Sequence, residues 1–190
     1  VVFDGKPIGH VRLSVPGEHN VRNALAAIAV GVGCWGAPLE TLARGLANFG
    51  GVERRFERLG DAAGVSVIDD YAHHPTEIRA TLSAARQAYP GRRIIAAFQP
   101  HLFSRTKDFA GDFASALQAA DATWLADIYP AREQPMPGVT SRLIADAMAK
   151  AGKAPAWQGP RTDLARALAG TVRSGDLVLT IGAGDITKTG

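Results

Sequence analysis

The sequence predicts an α/β protein whose larger part is a doubly wound, mostly parallel sheet. Three observations carry that prediction. Beyond Gly50-Gly51, short apolar runs alternate with amphipathic stretches of helical period. The runs are apolar at consecutive positions, which marks strands buried on both faces. Polar clusters follow those runs directly, as in open sheets that bind ligands beyond the carboxyl ends of their strands.

Taken in order, Val1–Phe3 and His10–Val15 are expected strands, joined by the turn-forming Asp4-Gly5-Lys6-Pro7. Asn20–Val32 is alanine-rich and expected to be helical. Pro38–Asn48 is a second expected helix, with Leu39, Leu42, Ala43 and Leu46 at helical spacing. Gly50-Gly51 is the expected boundary, dividing residues 1–50 from 51–190. Beyond it, expected strands at Val65–Ile68, Arg93–Phe98, Thr123–Ala126, Ala154–Trp157 and Leu177–Ile181 alternate with expected helices. Those helices are Thr76–Tyr89, Lys107–Ala119, Ser141–Ala151 and Asp163–Arg173.

Composition narrows the class. The 190 residues are 46% hydrophobic and 21% charged, too apolar and too evenly charged for intrinsic disorder. No apolar run approaches the length of a membrane span. A net charge of +3 with no long Lys/Arg run leaves no nucleic-acid footprint, though it suits small anionic substrates. Cys34 is the single cysteine, so no internal disulfide is possible and a cytoplasmic protein is expected. The first residue is Val1 and not methionine, and the expectation is a chain whose N-terminal part is missing.

Candidate chemistry sits where the strands end. The first apolar run of the larger part leads into Asp69-Asp70-Tyr71-Ala72-His73-His74-Pro75-Thr76-Glu77. Capping the next helix needs one such side chain, and five polar or aromatic groups exceed that need. Metal ligation by His73 and His74 is disfavoured, because sequential neighbours rarely converge on one ion without spaced partners. The second run ends in Gln99-Pro100-His101-Leu102-Phe103-Ser104-Arg105-Thr106-Lys107. Arg105 there has the planar fork that clamps a carboxylate or phosphate, although a solvated surface charge is the plainer alternative. Asp127–Glu133 and Gly182-Ala183-Gly184-Asp185 follow the later runs. The latter lacks the third glycine of a dinucleotide fingerprint, which disfavours a nicotinamide-dependent oxidoreductase.

His19 and Asn23 lie four apart at a helix start, so both face one side and suit a flat heterocycle, with Asn20 or Asn23 as a plain helix cap the competing reading. Arg54-Arg55 beside the glycine pair is a solvated face or an anion clamp. No G-x-x-x-x-G-K-[ST] phosphate loop exists: Gly5-Lys6 is followed by proline and Gly152-Lys153 by alanine.

The series G-E-H-N-x-x-N-A-L-A-A, F-G-G-V-x-R-R-F-E, D-D-Y-A-H-H-P-T-E-I, F-Q-P-H-L-F-S-R-T and G-A-G-D-I runs in this order from Gly17 to Ile186. It closely resembles the Mur ligase family of bacterial peptidoglycan synthesis. The resemblance implies a Rossmann-like C-terminal domain over 51–190, and the tail of a central ATP-binding domain over 1–50. It implies ATP-dependent amide formation between L-alanine and UDP-N-acetylmuramate through an acyl phosphate. Magnesium ligands and the phosphate loop would precede Val1, so the chain alone would be inactive. By motif, His19 and Asn23 resemble the adenine contacts, Arg55 the phosphate contact and Asp69 the ribose contact. Tyr71, His73, His101 and Arg105 resemble the L-alanine pocket, with Arg105 on the carboxylate. Catalytic residues and metal ligands are not assigned within this chain.

Leu102 departs from the pattern, standing where many relatives carry a basic residue. The alternatives are a recycling ligase that attaches a ready-made tripeptide, and a nucleotide-binding module without catalysis.

Overall fold

A computed structural model describes all residues, Val1–Gly190. The chain forms two compact units, Val1–Val52 and Glu53–Gly190.

The smaller unit opens with a hairpin of β1 (Val2–Phe3) and β2 (Lys6–Pro7), paired antiparallel. Asp4 and Gly5 both take positive φ, +48° and +73°, as a two-residue hairpin turn requires. The expected strand at His10–Val15 is therefore corrected: the second strand lies earlier, and residues 10–15 are irregular. Apolar alternation makes a strand only where a neighbour pairs with its backbone, and the short turn brings Lys6–Pro7 into that place. Helices α1 (Glu18–Trp35) and α2 (Leu39–Asn48) complete the unit. They cross closely at Gly31, where a Cβ would stand 2.6 Å from a Leu42 methyl. Ala24, Ile28 and Leu39 are the buried apolar side chains of these helices, while Val21, Leu25, Val30 and Trp35 remain exposed. No helix of the chain is long and apolar enough to cross a membrane.

The larger unit is a six-stranded sheet. Its strands are β3 (Glu57–Ala62), β4 (Val65–Asp70), β5 (Ile94–Phe98), β6 (Ala122–Ala126), β7 (Trp157–Gly159) and β8 (Leu177–Ile181). Their spatial order is β3-β4-β8-β5-β6-β7, with β3 antiparallel to β4 and every other pair parallel. The intervening helices are α3 (Pro75–Ala88), α4 (Phe103–Leu117), α5 (Arg142–Lys150) and α6 (Arg161–Ala169).

Side chains of one strand alternate between two cores, as the pleat demands. Ile94, Ala96 and Phe98 join Ile78 and Leu82 of α3, Phe113 and Leu117 of α4, and Ile144 and Met148 of α5. Ile95 and Ala97 face the other way, onto Leu164 and Leu168 of α6 and Ile186 of a closing 3-10 turn, Asp185–Thr189. Coverage of both faces is why the strands read as unbroken apolar runs.

β3 has no counterpart in the sequence reading. Glu57-Arg58-Leu59-Gly60-Asp61-Ala62 is polar and interrupted by a bulge at Arg58/Gly60. It is an edge strand with mostly exposed side chains, so burial leaves no pattern on it.

The parallel strands β4, β5, β6 and β8 all end on one side, and the loops after them gather there. Packing beneath those loops rests on Phe113, fully buried with its ring 5.3 Å from that of Phe98. Phe113→Ala is expected to destabilise the chain by about 3–5 kcal/mol, read by urea unfolding. A loss below about 1 kcal/mol would show that this contact is not central to the core.

Candidate functional site at the carboxyl edge of the sheet

The β4 loop is built on its two aspartates. Asp70 accepts from the backbone N–H of Phe56 at 2.9 Å and of Ala72 at 2.8 Å, which folds the chain sharply after the strand. Burial pushes its carboxyl above the ordinary aspartate value, against the pull of those N–H groups and of Arg55. Asp69 is fully buried. One oxygen takes the Arg54 Nε–H at 3.0 Å and the other the Thr180 hydroxyl at 2.5 Å. With both oxygens engaged and no exposed surface, the Asp69 carboxylate offers a ribose no accessible edge in this arrangement.

His74 and Glu77 form a capping box on α3. The Thr76 N–H donates to His74 Nδ1 at 3.3 Å, and Glu77 accepts from the N–H groups of His73 (2.9 Å) and His74 (3.1 Å). Burial alone would raise Glu77, but those N–H groups, the His73 imidazole and Arg55 outweigh it, leaving the carboxyl below its ordinary value. The His74 ring packs edge-on against Phe109, 5.1 Å away, so the adjacent histidines diverge. The His73 ring turns to Tyr71 on one side (5.4 Å) and His101 on the other (6.1 Å).

The β5 loop is shaped by the loop after β6. The Leu102 N–H donates to the Tyr129 carbonyl at 2.9 Å, and the Tyr129 N–H to the Pro100 carbonyl at 2.8 Å. Glu133 accepts from both the N–H and the hydroxyl of Ser104, which hold its carboxyl below the ordinary value. This remote cap starts α4 at Phe103, four residues before the expected Lys107. Between these restraints Leu102 sits at φ +74°, a conformation that costs a non-glycine residue about 1–3 kcal/mol.

His101 and Arg105 consequently face one another one helical turn apart, with Arg105 Nη1 3.5 Å from His101 Nδ1. The Tyr129 ring stacks on the far face of His101 at 5.7 Å and 17°. Burial, the Arg105 guanidinium and the His73 imidazole all disfavour the imidazolium, so His101 lies below the ordinary histidine value despite Glu133.

The structure thus brings Tyr71, His73, His101 and Arg105 into one row of side chains. Arg55 lies near it, its guanidinium carbon 5.5 Å from the Tyr71 ring centre. His19 and Asn23 belong to the smaller unit, exposed on the first turns of α1. The sequence marks Tyr129 and Glu133 only as members of the strand-end segment Asp127–Glu133, with no role assigned to either, and Arg54 only as half of a basic pair. Their segments stand at strand ends, which is the signal they offer. No group of three or more His, Cys, Asp or Glu side chains is arranged to hold a metal ion. Chemically, the row combines a cationic fork, a neutral imidazole beside it and aromatic walls, which fits a small zwitterion with a carboxylate end.

The depressed His101 has a measurable consequence. Below about pH 6.5 the unfolded chain binds a proton at this residue that the folded chain resists, so stability rises with pH through that window. A histidine-resolved NMR titration is expected to place the His101 midpoint below about 6.5, and Arg105→Met to raise it. A midpoint that ignores the loss of Arg105 would contradict the pairing.

The family described as "Mur ligase, glutamate ligase domain" matches residues 54–184. A UDP-N-acetylmuramate–L-alanine ligase of Cutibacterium acnes is 54% identical over 187 residues, covering 98% of this chain and 40% of that protein. One of Solidesulfovibrio magneticus is 50% identical over the whole chain, again matching only 42% of its own length. This chain therefore spans about 40% of the length of these relatives. The crystal structure of a UDP-N-acetylmuramate-alanine ligase from Thermotoga maritima superposes with a TM-score of 0.83 at 33% identity, over 99% of this chain and 40% of that one. A murein peptide ligase from Psychrobacter arcticus gives 0.67 at 27%, over 94% and 37%. With the family's domain matched across most of the larger unit, and the motifs falling on the loops just described, the chain belongs to the Mur ligase family.

Proposed function

We propose that this chain is the C-terminal part of an ATP-dependent ligase that joins L-alanine to UDP-N-acetylmuramate in the cytoplasm. The observation that carries the reading is the row Tyr71–His73–His101–Arg105 at the carboxyl edge of the sheet, where a guanidinium and a neutral imidazole stand side by side. The names of relatives about half identical to this chain support the same reaction.

In this reading the muramyl carboxylate becomes an acyl phosphate at the expense of ATP. The amino group of L-alanine, having lost a proton, attacks the acyl carbon. An N–C bond forms, the C–O bond to phosphate breaks, and inorganic phosphate leaves. Such a reaction is catalysed mainly by positioning and by neutralising charge.

Arg105 holds the carboxylate of the amino acid and so fixes the direction of its amine. His101, kept neutral, adds no second positive charge near the incoming amine. Tyr71 and His73 wall the small side. Arg55 reaches the phosphate from this domain, and His19 and Asn23 present amide and imidazole groups to adenine. Asp69 would reach the ribose only if its buried carboxylate became exposed. Magnesium would offset the phosphate charge when bound. Its ligands are proposed to lie outside this segment, as the family resemblance implies.

A substrate panel tests the reading. The full-length protein should release phosphate with UDP-N-acetylmuramate and L-alanine, and Arg105→Ala should raise the alanine KM by about tenfold or more while moving the ATP KM far less. The 190-residue chain alone should form no amide. Preference for the tripeptide over alanine, or an unchanged alanine KM, would sink the assignment.

A further inference from the structure

Arg54 has no part in the reading above, yet its side chain joins three segments of the site. Its Nε–H donates to Asp69 at 3.0 Å, and a terminal N–H donates to the carbonyls of Gly182 (2.7 Å) and Gly184 (3.3 Å). Its guanidinium carbon lies 4.8 Å from the centre of the Tyr71 ring. The backbone is held as firmly. The Tyr71 N–H donates to the Arg54 carbonyl at 2.7 Å, and the Arg54 N–H to the Glu57 carboxylate at 2.7 Å. Arg54 and Phe56 both adopt positive φ, +57° and +54°, a strained conformation for side chains of their size. Strain of this kind persists only where the surroundings over-determine it.

These contacts reach both ends of the proposed amino-acid pocket. One end is direct, through the Tyr71 ring, which meets His73. The other runs through the glycine turn. A Cβ on Gly184 would lie 2.6 Å from Gln99 Oε1 and 2.7 Å from Tyr129 Cγ, so this backbone abuts Tyr129 without slack. Tyr129 in turn stacks on His101. The guanidinium therefore stands between the Tyr71–His73 wall and the backbone that supports the Tyr129–His101 wall.

We propose that Arg54 is a positioning residue that sets the spacing of the amino-acid pocket, with buried Asp69 as its anchor and not as a nucleotide contact. The proposal rests on the ligase reading for its substrate, but its geometry is independent of that reading. A planar fork serves it in full and an ammonium only in part. An ammonium at the same place keeps the charge opposite Asp69, but it lacks the rigid geometry that reaches Asp69 and two carbonyls while lying over a ring.

The test uses Arg54→Met and Arg54→Lys in the full-length protein, with the KM for L-alanine and for ATP measured separately. Arg54→Met is expected to raise the alanine KM about tenfold, with the ATP KM moving less than about twofold. Arg54→Lys should restore part of the loss. An ATP KM that rises as much as the alanine KM would make Asp69 a nucleotide contact and overturn the proposal, as would no change in either. If Arg54→Met does not fold, Arg54→Lys, which retains the charge, decides alone.

A second readout is the Tyr71 ring resonances in protein carrying labelled tyrosine. They should shift in both variants whether or not the protein proves to be a ligase, and unchanged resonances overturn the positioning role. A wild-type protein inactive with alanine, but with shifted Tyr71 resonances in the variants, counts against the ligase reading and leaves the positioning role standing.

Discussion

The site depends on the placement of one charge. Asp69 stands on the second strand of the larger unit with no exposed surface, and an unpaired carboxylate there would be costly. Arg54 and Thr180 are its partners. Meeting that demand draws the segment before β3 across the ends of β4 and β8, and the remaining N–H groups of the guanidinium then reach the turn after β8. A buried ion pair adds little net stability over a well-packed apolar alternative. Its value here is what it forces into place: the strained backbone at Arg54, the Tyr71 ring and the glycine turn.

From that anchor the other loops follow by contact. Gly182 and Gly184 leave no room for a Cβ beside Gln99 and Tyr129, so the β8 turn and the β6 loop are packed together. The β6 loop braces the β5 loop through two backbone hydrogen bonds at Tyr129 and through Glu133 on Ser104. The β5 loop presents His101 and Arg105. The result is a row of side chains whose polarity is set by its surroundings: burial, then Arg105 and His73, hold His101 below the ordinary histidine value, while the N–H groups they cap help hold Glu77 and Glu133 below the ordinary carboxylate value.

Much of this was legible in the sequence, for reasons that differ between parts. The parallel strands were visible because burial on both faces leaves an uninterrupted apolar run, as in Ile94–Phe98 and Leu177–Ile181. β3 was not, because an exposed edge strand with a bulge carries no such mark. The hairpin at Val2–Pro7 was displaced because its pairing depends on two positive-φ turn residues and not on hydrophobic alternation. Tyr71, His73, His101 and Arg105 were singled out because their segments follow β4 and β5 and because they stand in family motifs; the structure brings the four side chains together. Arg54, Tyr129 and Glu133 were named in the sequence without these roles, because their importance comes from partners 15 to 130 residues away, such as Asp69 and Gly184 for Arg54. Local spacing does not encode such contacts.

The claim that this ion pair organises the site is tested most directly by a thermodynamic cycle. Stability would be measured by urea unfolding for wild type, Arg54→Met, Asp69→Asn and the double variant. If the pair acts as a unit, the two losses should be strongly non-additive, with a coupling of about 1–3 kcal/mol. Losses that add to within about 0.5 kcal/mol would show that Arg54 and Asp69 act separately and would contradict the account.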